Sequence, residues 1–140
     1  MKTYRASRTI NASPEAIWAI LTEGRRYPEW DPSMERLEGR VASGEKLKVF
    51  TKLSPGRGFP IRVTEFVPGQ RMAWTGGMPL GLFKGVRTFT LAPRGGATEF
   101  VTEEVFSGPF ASMIVKRMPD LSDSFEQFAD GLKRRAENAR

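Results

Sequence analysis

Two hydrophobic periodicities divide the chain and predict helices near its two ends with a sheet between them. Residues 4–10 alternate in character and predict a first strand. The Ser-Pro-Glu triplet at 13–15 predicts a helix start, because Ser accepts from free amides, Pro fits the first turn and Glu suits the positive end. Apolar residues at helical spacing follow, Gly24 is predicted to end this helix, and residues 26–30 predict a second short one.

Between residues 34 and 107 the apolar period changes to two, which is typical of a half-buried antiparallel sheet. Gly/Pro turns at 54–56, 68–69 and 93–96 divide this region into hairpins. An apolar stripe then predicts a long terminal helix, built on Leu121, Phe125, Phe128 and Leu132. We predict one α+β domain over residues 1–140, in which this helix covers a curved sheet of six or seven strands and leaves an internal cavity.

Composition excludes several kinds of chemistry. The 140 residues include no His and no Cys, so Ser-His-Asp and Cys-His catalysis and zinc-finger spacing are impossible within this chain. Isolated carboxylates without these ligands predict no metal site, and no cofactor is predicted. Any acid–base chemistry would use Asp, Glu, Lys, Tyr or a bound water.

The net charge of +6, from 22 basic and 16 acidic residues, is interpreted mainly as a solvated face. Aromatic residues follow the apolar phase instead of alternating with basic ones, so no nucleic-acid binding is predicted. The start of the chain lacks the apolar core of a signal peptide, and the longest uncharged stretch, 72–83, is short of the roughly 20 residues of a membrane helix. We expect a cytoplasmic protein with no integral membrane association.

Five short segments together carry a family resemblance that covers nearly the whole chain. They are INASPEAIW at 10–18, YPEWDP at 27–32, VTEFVPGQRMAW at 63–74, GAT at 96–98 and EVFSG at 104–108. In these segments the chain resembles the SRPBCC superfamily, and more narrowly its polyketide cyclase/dehydrase-like branch, relatives of START and birch-pollen-allergen domains. The resemblance implies a helix-grip fold, in which an antiparallel sheet grips a long C-terminal helix around an apolar cavity. Members bind lipids, sterols, polyketides or hormones, and some catalyse cyclisation or dehydration; fold analogy alone does not choose among these.

The cavity is the candidate site for a small hydrophobic ligand, because such pockets are mostly apolar with a few placed polar groups. Its aromatic and Met side chains offer flat, adaptable apolar surface, although core packing without a ligand is the alternative for each. The predicted ligand-binding residues are Trp30, Met72, Trp74, Met78, Phe83, Arg87, Phe89, Phe100, Thr102, Glu104, Phe106, Phe110, Met113, Met118 and Phe125.

Two uncharged, Gly- and Pro-containing segments are candidates for the mouth of that cavity. Residues 72–83 and 106–115 carry no charge, which is unusual for surface loops. One hypothesis is that they flank an entrance and move to admit a ligand. The alternative is that they pack over the end of the sheet.

Period two and a turn about residues 95–96 place Arg87 opposite Glu104 on the inner face. The pair is interpreted as an ion pair that holds the hairpin, as a polar spot that orients a ligand, or as a catalytic pair. An arginine partner would lower the pKa of the carboxyl group, which suits a base poorly. Asp31 is expected to order a turn, and Tyr27 to pack the short helices or donate a hydrogen bond.

The predicted function is sequestration or transport of a small hydrophobic ligand, with Arg87 meeting any polar or anionic end. The alternative is a polyketide cyclase or dehydratase, in which Glu104, Arg87 or Tyr27 would assist proton transfer. A third class is a partner-binding module that uses the apolar loops as its interface. The sequence leaves the ligand and the oligomeric state open.

Overall fold

The structure is a computed structural model that describes residues 2–138. Its seven strands form a single antiparallel sheet in the order β1-β7-β6-β5-β4-β3-β2. The strands are β1 (Lys2–Ile10), β2 (Met34–Glu38), β3 (Lys46–Thr51), β4 (Gly58–Val67), β5 (Arg71–Gly77), β6 (Lys84–Arg94) and β7 (Ala97–Ser107). The helices are α1 (Pro14–Thr22), α2 (Ala111–Val115) and α3 (Ser122–Asn138), with 3₁₀ turns at Gly24–Glu29 and Pro79–Gly81. The expected helix-grip architecture is confirmed.

The start of α1 follows the predicted chemistry, but its end does not. The Ser13 hydroxyl accepts from the Ala16 amide at 3.1 Å, and Pro14 occupies the first turn. Gly24 does not end the helix: it begins the 3₁₀ helix that follows. A β-carbon on Gly24 would lie 2.5 Å from the side chain of Leu37 on β2, so close packing explains this glycine.

The hairpin of β6 and β7 has the predicted register. Gly95 and Gly96 take positive φ angles of 55° and 88°, which glycine adopts at no steric cost. Arg87 lies opposite Glu104, and Trp74 of β5 lies opposite Arg87 on its other side. These three residues therefore form one row across the sheet.

Helix α3 lies on the inner face of the sheet and buries the predicted apolar stripe, including Phe125, Phe128 and Leu132. Gly131 lets the helix approach closely, since a β-carbon there would collide with the backbone carbonyl of Trp30. The Arg8 guanidinium of β1 also donates to two carboxylates of α3. Within residues 2–138, no helix is long and apolar enough to cross a membrane.

Candidate functional site

Arg87 projects from β6 into the interior, between the sheet and α3. Its Nε donates to the Thr102 hydroxyl at 3.0 Å, and the central guanidinium carbon lies 4.1 Å from the centroid of the Phe125 ring and 4.6 Å from that of Phe128. Contacts at this distance are cation–π interactions. Some of the residue remains exposed, but Nη2 is fully enclosed and has no acceptor among the described residues.

Two indole nitrogens are also enclosed without a hydrogen-bond acceptor, as Nη2 of Arg87 is. Nε1 of Trp30 and Nε1 of Trp74 are buried and have no hydrogen-bond partner within residues 2–138. Indole and guanidinium nitrogens can only donate, so all of these atoms seek an acceptor. Most buried polar groups in proteins are hydrogen-bonded, so these donors need acceptors other than the described residues, such as an ordered water or a ligand oxygen.

Phe128 links the three donors. Its ring centroid lies 4.9 Å from that of Trp30 and 5.7 Å from that of Phe89, which is itself 4.7 Å from Trp74. The Arg87 guanidinium covers the same Phe128 ring. Sequence reasoning placed Phe128 on the apolar stripe of the helix but did not include it in the site, although its spacing from Phe125 puts both on one face.

The expected ion pair of Arg87 with Glu104 does not form, although the two residues are directly opposed. Arg87 donates to Thr102 instead, and no ion pair joins it to a carboxylate in the described part of the chain. Burial raises the pKa of Glu104, and the positive charge of Arg87 offsets only part of that rise. The expected lowering of this pKa was wrong, because desolvation outweighs attraction to a guanidinium that is turned toward Thr102.

Asp31 is more deeply buried than its place in a turn suggested. The carboxylate is 1% exposed and accepts from the Ser33 amide at 3.0 Å and the Ser33 hydroxyl at 2.7 Å, so it does order the turn. Burial raises its pKa, which the Ser33 hydrogen bonds and then the charge of Arg87 lower in part. Asp31 thus belongs to the electrostatic surroundings of Arg87, a role that its sequence neighbours do not reveal.

Tyr27 takes the packing role. Its hydroxyl donates to the Leu21 carbonyl at 2.5 Å, its ring packs on Trp30 at 4.8 Å, and burial raises the pKa of the phenol. The phenolic proton is therefore held within the protein and points at backbone.

The predicted ligand-binding residues fall into two groups. The interior group is buried or half-buried between the sheet and the helices: Trp30, Met72, Trp74, Phe83, Arg87, Phe89, Phe100, Thr102, Glu104, Phe106, Met118 and Phe125. Met78 and Phe110 are instead exposed on the loops after β5 and β7, and Met113 is exposed on α2. The structure does not bring these three into the interior, because these segments leave the sheet with the three side chains facing outward.

The interior rings contact one another, and the described clefts lie elsewhere. A cleft of about 870 Å³ runs between the start of α1 and the turn at 67–71, and one of about 560 Å³ lies beside residues 22–26. Neither is lined by a predicted ligand-binding residue. Neither cleft reaches Arg87, whose guanidinium lies against the packed rings of Phe125 and Phe128.

A family model matches residues 1–137, and its description is polyketide cyclase / dehydrase and lipid transport. The chain belongs to this family. Its members in this description span catalysis and transport, so membership supports a ligand-binding or cyclase role in general. No match was found among curated proteins.

Solved structures similar to this polyketide cyclase/dehydrase family chain share its fold. A START superfamily protein from Mycobacterium smegmatis is 18% identical, with a TM-score of 0.72 and 99% of each chain covered. The Aha1 dimer of Colwellia psychrerythraea is 21% identical, with a TM-score of 0.74 and coverage of 98% of this chain and 97% of that one. DynU16, a putative protein in the dynemicin biosynthetic locus, is 20% identical, with a TM-score of 0.73; all of this chain aligns with 49% of that one.

Proposed function

We propose that this protein binds a small apolar ligand with one anionic, hydrogen-bond-accepting end, between the sheet and α3, for sequestration or transport. The observation that carries the proposal is the Arg87 guanidinium, whose Nη2 is enclosed without an acceptor and which forms no direct ion pair in the described residues. The carboxylates of Glu104 and Asp31 attract this charge but do not bond to it. A buried cation without a direct ion pair is unfavourable, and an anionic oxygen of a ligand would lower that penalty.

The indole donors extend this polar spot. A carboxylate or enolate accepts several hydrogen bonds, so one such group would suit Nη2 of Arg87 and Nε1 of Trp74, two residues that are opposed on neighbouring strands. The apolar body of the ligand would lie against the inner face, beside Met72 and Phe106. Buried apolar ligand surface contributes roughly 25 cal/mol per Å², less the free energy needed to separate the rings.

A cyclase or dehydratase remains the second candidate, and one observation favours it. Burial raises the pKa of both Glu104 and Asp31, which makes each carboxylate a stronger base than an exposed one. The donors of Arg87 and Trp74 would stabilise an enolate oxygen that forms when a carbon acid loses its proton. Tyr27 contributes less to this scheme, because its proton is held by Leu21.

Tryptophan fluorescence tests the binding proposal. In a Trp18→Phe variant the remaining indoles, Trp30 and Trp74, both belong to the site, whereas Trp18 packs on Phe66 outside it. Dodecanoic acid and 2-naphthoic acid should change the fluorescence saturably, and their methyl esters should bind at least tenfold more weakly. A preference for the esters, or no saturable change with either acid, contradicts the proposal.

Turnover distinguishes the second candidate. The wild-type protein and Glu104→Gln are incubated with poly-β-ketone mimics, and products are followed by mass spectrometry while binding is followed by fluorescence. An enzyme that uses Glu104 as its base loses turnover in the variant and keeps binding. Binding without products in either protein favours the transport role.

A further inference from the structure

Exposed apolar side chains concentrate at one end of the sheet. The antiparallel register places two sets of strand termini at this end: the starts of β1, β2, β4 and β6, and the ends of β3, β5 and β7. Of seven large apolar side chains that are exposed in the described chain, only Val67 lies at the opposite end. We call the other six the apolar tip: Leu53, Phe59, Met78, Leu80, Phe110 and Met113.

The two loops at the centre of the apolar tip hold each other in place. The Phe110 amide donates to the Leu82 carbonyl at 2.9 Å, and Gly108 fits against the backbone of the same loop with no room for a β-carbon. These contacts fix the two segments that carry the outward-facing side chains of Leu80 and Met113.

Leu80 is the most exposed member. It is 96% exposed and has a φ of 62°, and no other non-glycine residue among those described has a positive φ. A branched side chain in the left-handed region is energetically unfavourable, and such strain clusters at functional positions. The Leu80 side chain does not pack in the core, so core packing does not explain its strained backbone conformation.

The same end carries an excess of positive charge. Its cations are Lys2, Lys52, Arg57, Lys84, Lys116 and Arg117, and none of them forms an ion pair within residues 2–138. The acids at this end are fewer: Glu35 and Asp120 accept backbone amides, and Asp123 lies in the first turn of α3. At the opposite end Arg71 pairs with Glu65 and Arg94 with Glu99, whereas Arg40 and Lys46 form no ion pair within the described residues.

We propose that the apolar tip docks on the surface of an anionic phospholipid bilayer. Apolar side chains would enter the boundary between head groups and acyl chains, while the surrounding cations contact lipid phosphates. Charge complementarity favours this occupant, because a second copy of the same surface would bring six unpaired cations against six others. The docking is peripheral and needs no membrane-spanning segment.

The position of the tip connects this surface with the interior. Phe83 lies directly behind the Pro79–Gly81 turn and stacks on Phe106 at 5.6 Å, and Phe106 in turn contacts Tyr4 in the core. Tyr4 packs on Phe125 at 5.8 Å, and the Arg87 guanidinium covers that ring, so a series of packed aromatic rings connects the tip with Arg87. The docking itself does not depend on the proposed ligand.

Co-sedimentation with vesicles tests the proposal on the full chain without any added ligand. The protein should pellet with phosphatidylcholine/phosphatidylglycerol vesicles at 0.1 M salt, should bind pure phosphatidylcholine much more weakly, and should be released at 1 M salt, where the screening length falls to about 3 Å. Leu80→Asp should weaken binding at least tenfold. The double substitution Lys116→Gln, Arg117→Gln should weaken it about 30-fold.

Val67→Asp is the matched control, since it places the same charge on an exposed apolar site at the other end of the sheet. Circular dichroism confirms that each variant folds. The proposal is overturned if anionic vesicles do not bind the protein, or if Val67→Asp weakens binding as much as Leu80→Asp. It is equally overturned if sedimentation velocity shows a self-association that Leu80→Asp abolishes and vesicle binding is absent.

Discussion

Replacing Arg87 by methionine tests whether its guanidinium serves to bind a ligand or to stabilise the fold. The substitution keeps a long apolar stem against Phe125 and Phe128 but removes the charge, the Nε donor to Thr102 and the enclosed Nη2 atom. If Arg87 awaits an anionic ligand, the ligand-free protein should tolerate the change while binding of the acid is lost.

The magnitudes follow from the contacts. Loss of the bond to Thr102 costs about 1.5–3 kcal/mol, the usual range for a hydrogen bond to a charged group. Removal of the enclosed cation relieves a desolvation penalty of several kcal/mol, and the lost attraction to the carboxylates of Glu104 and Asp31 offsets part of that gain. We therefore expect the free energy of unfolding of the ligand-free protein to stay within about 1 kcal/mol of wild type or to rise. Affinity for the acid should fall by about 10- to 150-fold, because a charge-assisted bond to the ligand disappears.

Urea unfolding and fluorescence titration with 2-naphthoic acid measure the two quantities on the same samples. Arg5→Met is the control, since Arg5 lies on β1, is largely exposed and contacts Glu103 only at 3.8 Å. Exposed pairs of this kind contribute about 0–1 kcal/mol, so both quantities should be unchanged in the control.

The reasoning is refuted if Arg87→Met loses more than about 3 kcal/mol of stability while its affinity for the acid is unchanged. That result would make Arg87 a cation already satisfied by the protein. Loss of discrimination between the acid and its methyl ester, with stability retained, would support the proposed site.

Three further substitutions test the framework around the site. Gly131→Ala should destabilise the fold by about 1–3 kcal/mol in urea unfolding, because its β-carbon collides with the Trp30 carbonyl and overpacks the interface. Tyr27→Phe should lower the free energy of unfolding by about 1–3 kcal/mol, since the buried Leu21 carbonyl loses its donor. Burial raises the pKa of Glu104 above its ordinary 4.5, so the folded state holds this proton more tightly and loses stability as pH rises through that window. Glu104→Gln should therefore be more stable than wild type at pH 7 in thermal unfolding, with a gain that vanishes below pH 4.5.

Each of these three predictions is contradicted by a specific result. A Gly131→Ala protein as stable as wild type would mean that α3 does not approach Trp30 as closely as described. Unchanged stability in Tyr27→Phe would mean that water replaces the phenol at Leu21. A loss of stability in Glu104→Gln that is equal at all pH values would show that Glu104 acts by a hydrogen bond and not through its charge.

Local sequence chemistry was enough for the elements and for the hairpin that presents the site. Ser13 and Pro14 start α1 because their effect on free amides and on φ is confined to one turn. Residues 95–96 set the register of β6 and β7, and a register determines which residues are opposed. The position of Arg87 opposite Glu104 was predictable for this reason.

Tertiary structure decided what those side chains do. A period assigns a residue to a face of its own element, but partners on other elements depend on side-chain torsions and on what fills the remaining space. Arg87 therefore bonds to Thr102 and covers Phe128, and Glu104 stays unpaired with it. Desolvation, which raises the pKa of Glu104, is likewise a property of the assembled interior.

In the loops, too, the sequence predicted one property and the tertiary structure decided another. Their uncharged composition singled out residues 72–83 and 106–115, and composition is visible in any single sequence. Whether Met78 points inward or outward was decided by the path of the backbone after β5, where no period applies, and the direction of Met113 was decided by how the short helix α2 packs. The sequence by itself therefore determined a sheet that grips a helix, and loops of apolar composition in a basic protein. The folded chain decided that three donors are enclosed without a partner and that the loop side chains face outward. Both outcomes depend on contacts between residues that are far apart in sequence.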